Sequence, residues 1–378
     1  MTAPGFEPVA RAFFRLVSGR SGGGALVVRR GGEDVVVLET GWADRARTRH
    51  WTQDTLALSF STTKGIASTI VHRLADRGLL GYDDPVAAHW PEFAAGGKER
   101  VTIRELLSHR AGLWSVRAVA RGAEDLLDHL LMEERLAARA TRAPTTRSYY
   151  HAITYGWLVA GLARRITGKG LADLARTEIV EPLGLSGLHI GVPDHAREFV
   201  AQPVGPGLRQ AGVLGGVLSP VSRRLTGARP FVEALIAPGF AEIFEGSEPT
   251  IWSTEMPAVN GALSAAALAK MYEALADGGG KLLSPETVEQ LGRVQVRTRD
   301  GVLGIGMRWR LGYHQAFGTG ASRAFGHYGY GGSGGWGDPD TGVSLGFVTN
   351  RIGSATTPLA DATLYRLSRV VLRCAAAV

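Results

Sequence analysis

The first apolar stretch of the chain is interrupted by Arg11 and Arg15, and the spacing predicts a helix over Glu7–Val17. Two β-branched runs follow, Ala25–Arg30 and Val35–Thr40, joined across Gly31-Gly32, which is the signature of a hairpin. Leu56–Phe60 is a short apolar run that leads directly into Ser61. From Gly65 to Leu80, Ile66, Ile70, Val71 and Leu74 recur at helical spacing, and Gly81 is the expected stop. The middle of the chain reads mostly helical, over Ile103–Ser108, Ala123–Ala140, Thr154–Thr167 and Leu171–Glu178, with Gly112, Pro144, Gly168 and Pro182 as punctuation. Residues 199–260 are richer in Gly and Pro and are assigned to no element. Ser264 suits the N-cap of a helix reaching Ala276, closed by Gly278-Gly279-Gly280. Strands return at Gly304–Leu311, Ala324–Tyr330 and Val343–Asn350, before a last amphipathic helix over Pro358–Leu372. Strands at both ends around a helical block predict an α+β fold: an antiparallel sheet flanked by terminal helices, with an inserted, mainly helical domain. The expected division is 1–84 plus 256–378 against 85–255, with a site at the junction.

Composition narrows the function classes. The chain has 378 residues, 45% apolar and 20% charged, enough to bury a large core. No apolar run reaches the ~20 residues of a membrane-spanning helix. The single cysteine, Cys374, excludes an intrachain disulfide. The first residues carry no basic segment followed by an unbroken apolar one, so the expected address is the cytoplasm. The formal charge is +7, but only five of the cations are lysine, and the arginines are scattered among acidic residues. A nucleic-acid surface gathers its charge into a stripe, and no nucleic-acid partner is expected here.

Ser61-Thr62-Thr63-Lys64 places a hydroxyl and an amine three residues apart at a helix start. On a helix, residues three apart share a face with Cβ atoms ~5–6 Å apart, so the amine can reach the hydroxyl. Serine needs a neighbouring base to act as a nucleophile, and an unprotonated lysine is one. A surface helix with a capping serine and a solvated lysine would read the same. The placement between an apolar strand and an apolar helix favours a buried lysine instead.

Further stretches carry a resemblance. Ser61-Thr62-Thr63-Lys64-Gly65-Ile66-Ala67 is similar to the nucleophile box of the serine β-lactamase and penicillin-binding protein superfamily. Leu79–Val86, Val101–His109, Tyr150–Leu158, Glu181–Leu185 and Phe325–Gly332 resemble further segments of its class C-like branch, in the same order. Within that branch the chain most resembles the family VIII carboxylesterases. The resemblance implies that Tyr150 joins Lys64 as general base, its phenol lowered by the nearby lysine charge. It implies that His327, Tyr328 and Gly329 occupy the third box, where relatives place a cation that recognises a substrate carboxylate. It further implies an oxyanion hole from the backbone N–H groups of Ser61 and Tyr330. Ala152 stands where the lactamases carry an asparagine, and His327 where many carry lysine, which argues against efficient β-lactam turnover. Trp114, Trp252, Trp309, Tyr313, Tyr328 and Trp336 are candidate pocket aromatics, with Trp336 grouped with the substrate-binding residues; core packing explains most of them equally well.

Two motifs are set aside. Gly331-Gly332-Ser333-Gly334-Gly335 fits G-x-S-x-G, but that motif needs a helix and a later histidine, and none follows His327. Gly329–Gly334 also fits G-x-G-x-x-G without the helix a dinucleotide site requires. The ten histidines form no H-E-x-x-H, so no metal and no cofactor are expected. The expected chemistry is acyl-enzyme hydrolysis of a small-molecule carboxylic ester by Ser61. Alternatives left open are an acyltransferase, a weak β-lactamase or D,D-peptidase, and a binding protein on an inactive scaffold.

Overall fold

A computed structural model describes every residue except 20, 206–228, 247, 279, 281, 317–322, 353–361 and 378. The first hairpin pairs β1 (Gly23–Arg30) with β2 (Glu33–Gly41). Leu26 and Val28 of β1 face one apolar cluster while Ala25 and Val27 face another, so this strand is buried on both sides. That double burial is why it reads as an unbroken apolar run.

The C-terminal part of the chain adds six more strands: β6 (Val296–Arg299), β7 (Gly306–Trp309), β8 (His314–Gln315), β9 (Phe325–Tyr328), β10 (Gly334–Asp338) and β11 (Val343–Thr349). The sheet order is β2-β1-β11-β10-β9-β8-β7-β6, with every neighbouring pair antiparallel. On one face α1 (Glu7–Val17) buries Val9, Phe13, Leu16 and Val17 together with α6 (Thr363–Ala377). On the other face lies α5 (Ala265–Ala276), where Ser264 accepts from Ala267 N–H as its N-cap. A three-stranded sheet, β3-β5-β4, pairs β3 (Ala57–Leu58) and β4 (Leu188–Ile190) with the central β5 (Gly261–Leu263). The mixed architecture with an antiparallel sheet is the expected one.

Several boundaries move for local reasons. The helix after Ser61, α2 (Thr63–Asp76), stops at Gly78 rather than Gly81. Gly78 takes φ 70°, and the N–H groups of Gly78 and Leu79 close on the carbonyls of Ala75 and Leu74. The helix expected over Ala123–Ala140 is two, Ala123–Leu127 and His129–Ala138, because Asp128 turns out and accepts from Leu131 N–H at 2.9 Å. The Leu171–Ala175 helix continues as a wider turn to Val180. α3 (Ile103–Leu107) starts in a capping box between Thr102 and Glu105, and α4 spans Thr154–Thr167 as expected. The start of the final expected helix falls outside the described residues. No helix among the described residues is long and apolar enough to cross a membrane.

Candidate active site

The segment carrying Ser61 is held from both sides. Ser59 N–H donates to Gly261 O at 2.9 Å, extending the β3–β5 pairing. The Thr63 hydroxyl donates to Phe60 O at 2.6 Å and accepts from Gly261 N–H at 2.9 Å. Thr62 Oγ1 donates to Ser333 O at 3.1 Å, tying the turn to the residue just before β10. Phe60 takes φ 46°, a left-handed conformation that costs about 1–2 kcal/mol in a non-glycine residue. The turn places Ser61 one residue inside a short 3-10 segment that opens α2, partly exposed while Thr62, Thr63 and Lys64 are buried.

Lys64 is completely buried, and its Nζ donates to Ser61 Oγ at 2.9 Å and to Ala258 O at 3.1 Å. Burial pushes the amine well below its ordinary value of 10.5. Among the described residues it has no carboxylate ion-pair partner, so nothing compensates the desolvation of an ammonium there. The third candidate, Tyr150, has its phenol hydrogen-bonded to Ser61, and Lys64 Nζ lies 5.1 Å from the ring centroid. The structure therefore brings Ser61, Lys64 and Tyr150 together.

The expected lowering of the phenol is reversed. Burial raises Tyr150 above its ordinary 10, the Ser61 hydrogen bond offsets part of this, and the charge of Asp300 adds to the rise. The lysine charge does not figure among the influences on the phenol, and burial disfavours that charge. Burial thus disfavours the charged form of both groups, the ammonium of Lys64 and the phenolate of Tyr150.

Asp300, which no sequence motif marks, anchors the chain at Tyr150. Its carboxylate accepts from the N–H groups of Tyr150 (3.2 Å), Val302 (2.9 Å) and Leu303 (3.0 Å), and from Trp309 Nε1 (3.1 Å). The Trp309 ring lies face to face with Tyr150 at 5.3 Å and 11°. Trp309 is thus brought to the site, against the phenol.

The third-box residues divide. His327 stacks on Tyr150 at 6.3 Å and donates from Nδ1 to Tyr328 O at 3.0 Å, and burial drives it well below 6.5. It is a neutral ring and no carboxylate-binding cation. Gly329 fits close under the Ser61 turn: a Cβ there would lie 2.2 Å from Ser59 O and 2.7 Å from Thr62 Oγ1. Tyr328 donates its N–H to His314 Nε2 at 3.1 Å. The Tyr330 ring meets Phe60 edge-on at 5.6 Å. Trp336 is not at the site. It faces the α1 and α6 side of the sheet, fully buried, with Nε1 donating to Ser368 Oγ at 2.8 Å.

The other aromatics are spread out. Tyr313 is core, sharing a 2.7 Å hydrogen bond with Thr69 Oγ1, and Trp114 stacks on Tyr149. Trp252 lines a separate cleft of about 1410 Å³ with Leu56, His189 and His195, which includes none of Ser61, Lys64 and Tyr150. Ser333 is buried and its hydroxyl is exchanged with Thr349, donating to its carbonyl and accepting from its N–H.

The sequence matches the Beta-lactamase family over residues 9–369. The chain belongs to the beta-lactamase family. It is 42% identical over 357 residues to the esterase/beta-lactamase LipL of Mycobacterium tuberculosis, covering 92% of this chain and 82% of that protein. Among solved structures, a family VIII carboxylesterase superposes with a TM-score of 0.86 at 32% identity, covering 99% of this chain and 98% of the other. A penicillin-binding protein homologue from Caulobacter crescentus gives 0.84 at 33% identity, covering 99% of both. In this beta-lactamase-family member the Ser61, Lys64 and Tyr150 cluster occupies the seam between the three-stranded sheet, α2 and the end of β9.

Proposed function

We propose that the protein is a serine carboxylesterase that works through an acyl-enzyme on Ser61. The observation that carries this is the buried, unpaired Lys64 amine within 2.9 Å of the Ser61 hydroxyl. In this reading Ser61 Oγ attacks the ester carbonyl carbon and its proton passes to Lys64 Nζ. The backbone N–H groups of Ser61 and Tyr330 hold the oxyanion, a contribution worth ~10²–10³ in rate per donor. As the C–O bond breaks, the Tyr150 hydroxyl gives its proton to the leaving alkoxide and is refilled from the lysine. Water then attacks the acyl carbon, its proton goes to the same pair, and the acid leaves with Ser61 restored. No metal or cofactor enters any step.

An ester substrate is supported by the esterase and carboxylesterase names of the relatives and by the site's polarity. The apolar Ala152 and neutral His327 offer no charge for an anionic substrate. The esterase/beta-lactamase name of the Mycobacterium tuberculosis relative also favours a slow side activity on β-lactams, which nitrocefin hydrolysis would measure. The division into 1–84 plus 256–378 and 85–255, with the site at their junction, is part of this proposal, as is a cytoplasmic location. Hydrolysis of p-nitrophenyl esters of short and medium chain tests the activity. Turnover by the wild type with loss in Ser61→Ala is expected, and full turnover by the variant would refute the nucleophile.

A further inference from the structure

The chain around Tyr150 is gripped by a residue that the proposed chemistry does not use. α3 ends in a paired closure: His109 N–H reaches Leu106 O at 3.1 Å and Arg110 N–H reaches Glu105 O at 2.8 Å. The residue between these closures must take a left-handed backbone, and glycine usually fills it. Here it is His109, at φ 62°.

What the side chain does there explains its presence. His109 O accepts from Tyr149 N–H at 3.0 Å, and His109 Nδ1 accepts from His151 N–H at 3.2 Å. Both neighbours of Tyr150 are therefore pinned on one residue, while Tyr150's own N–H goes to Asp300. The imidazole also meets the Tyr150 ring edge-on, at 5.0 Å and 76°, and the Trp309 ring at 4.3 Å and 67°. With Trp309 stacked on one face, the phenol has no freedom to swing in that direction.

We propose that His109 is a positioning residue that fixes the Tyr150 phenol against Ser61, taking a strained backbone position in order to clamp residues 149–151. This rests on the reading of Tyr150 as the proton donor. The bond from His151 leaves Nδ1 bare and the proton on Nε2, which has no acceptor among the described residues. Burial, the largest influence on the ring, keeps it neutral, so it clamps without adding charge to the site.

The test compares His109→Gly and His109→Asn, each alone and with Tyr150→Phe, reading kcat and KM per titrated active site on a p-nitrophenyl ester. Glycine suits the backbone better than histidine but removes the clamp. Asparagine tolerates the left-handed conformation and offers Oδ1 to His151 N–H. The expected result is a fall in kcat of about 10²-fold for glycine with KM little changed, and recovery to within about tenfold by asparagine. In the Tyr150→Phe background, glycine should cost less than about threefold, since the phenol it positions is gone. A purely structural role makes glycine equal to or better than asparagine. That order, or full additivity with Tyr150→Phe, overturns the proposal. Tyr150→Phe retaining wild-type kcat would instead overturn the reading of Tyr150 itself. Should the glycine variant not fold, the asparagine variant in the two backgrounds gives the same coupling, and additivity there is equally decisive.

Discussion

Replacing Lys64 by methionine separates activity from stability in opposite directions. The side chain is fully buried, its amine is depressed by desolvation, and among the described residues it hydrogen-bonds to the Ser61 hydroxyl and Ala258 O. Near neutral pH the unfolded chain carries this lysine as ammonium, whereas the fold favours the free amine. The unfolded state then binds more protons, so wild-type stability rises with pH through the window between the folded value and 10.5 and falls as pH drops. The slope from one group is about 1.4 kcal/mol per pH unit. Methionine removes this linkage and leaves the Ala258 carbonyl without the amine, a cost of about 1–3 kcal/mol independent of pH. The variant should therefore gain on the wild type toward the acid end of the window and lose to it near pH 10.5. Urea unfolding followed by tryptophan fluorescence, at pH steps across that range, gives the difference directly. Turnover in the same variant should fall about 10²–10⁴-fold, as expected for loss of a general base. A stability difference that stays flat with pH would mean that Lys64 is charged in the fold, and the proton-transfer step would fail with it.

Ser333→Ala should keep turnover within about twofold while losing its exchange with Thr349, at about 1 kcal/mol per bond, read as a lower Tm. Gly329→Ala drives a Cβ to within 2.2 Å of Ser59 O, so roughly 1–3 kcal/mol of overpacking and a displaced Ser61 turn should lower both Tm and kcat; unchanged kinetics would show that this contact does not set the site. Burial holds His72, His151 and His314 at about 4, below their ordinary 6.5. For such depressed bases the stability is present above pH 6.5 and is lost as pH falls toward 4, by up to about 3 kcal/mol each. Urea midpoints at pH 7 and pH 5 should differ accordingly, and equal midpoints would count against their burial as neutral rings.

The sequence was most legible where local rules and tertiary packing agree. The helices at Glu7–Val17 and Thr154–Thr167 have the expected bounds, and Ser264 is the cap its chemistry suggested. The pair Ser61 and Lys64 could be read because a three-residue helical spacing fixes their separation before any packing is known. Short strands such as β6 and β8 could not, since two to four residues carry no period. Trp336 was misplaced for a related reason: strand alternation turns its side chain to the α1 and α6 face, away from the site, and only the register of β10 decides that. Asp300 and the clamp of His109 are tertiary facts, joining residues 150 to 300 and 109 to 151. The direction of the Tyr150 shift depends on burial, which spacing does not reveal.

The central claim is that Ser61 is the acylated residue. Wild-type protein treated with a fluorophosphonate, digested and mapped by peptide mass spectrometry tests it most directly. A single adduct on Ser61 is expected, absent from Ser61→Ala, with ester hydrolysis lost in step with labelling. An adduct on Ser333 or another serine, or hydrolysis that persists after complete Ser61 labelling, would contradict it.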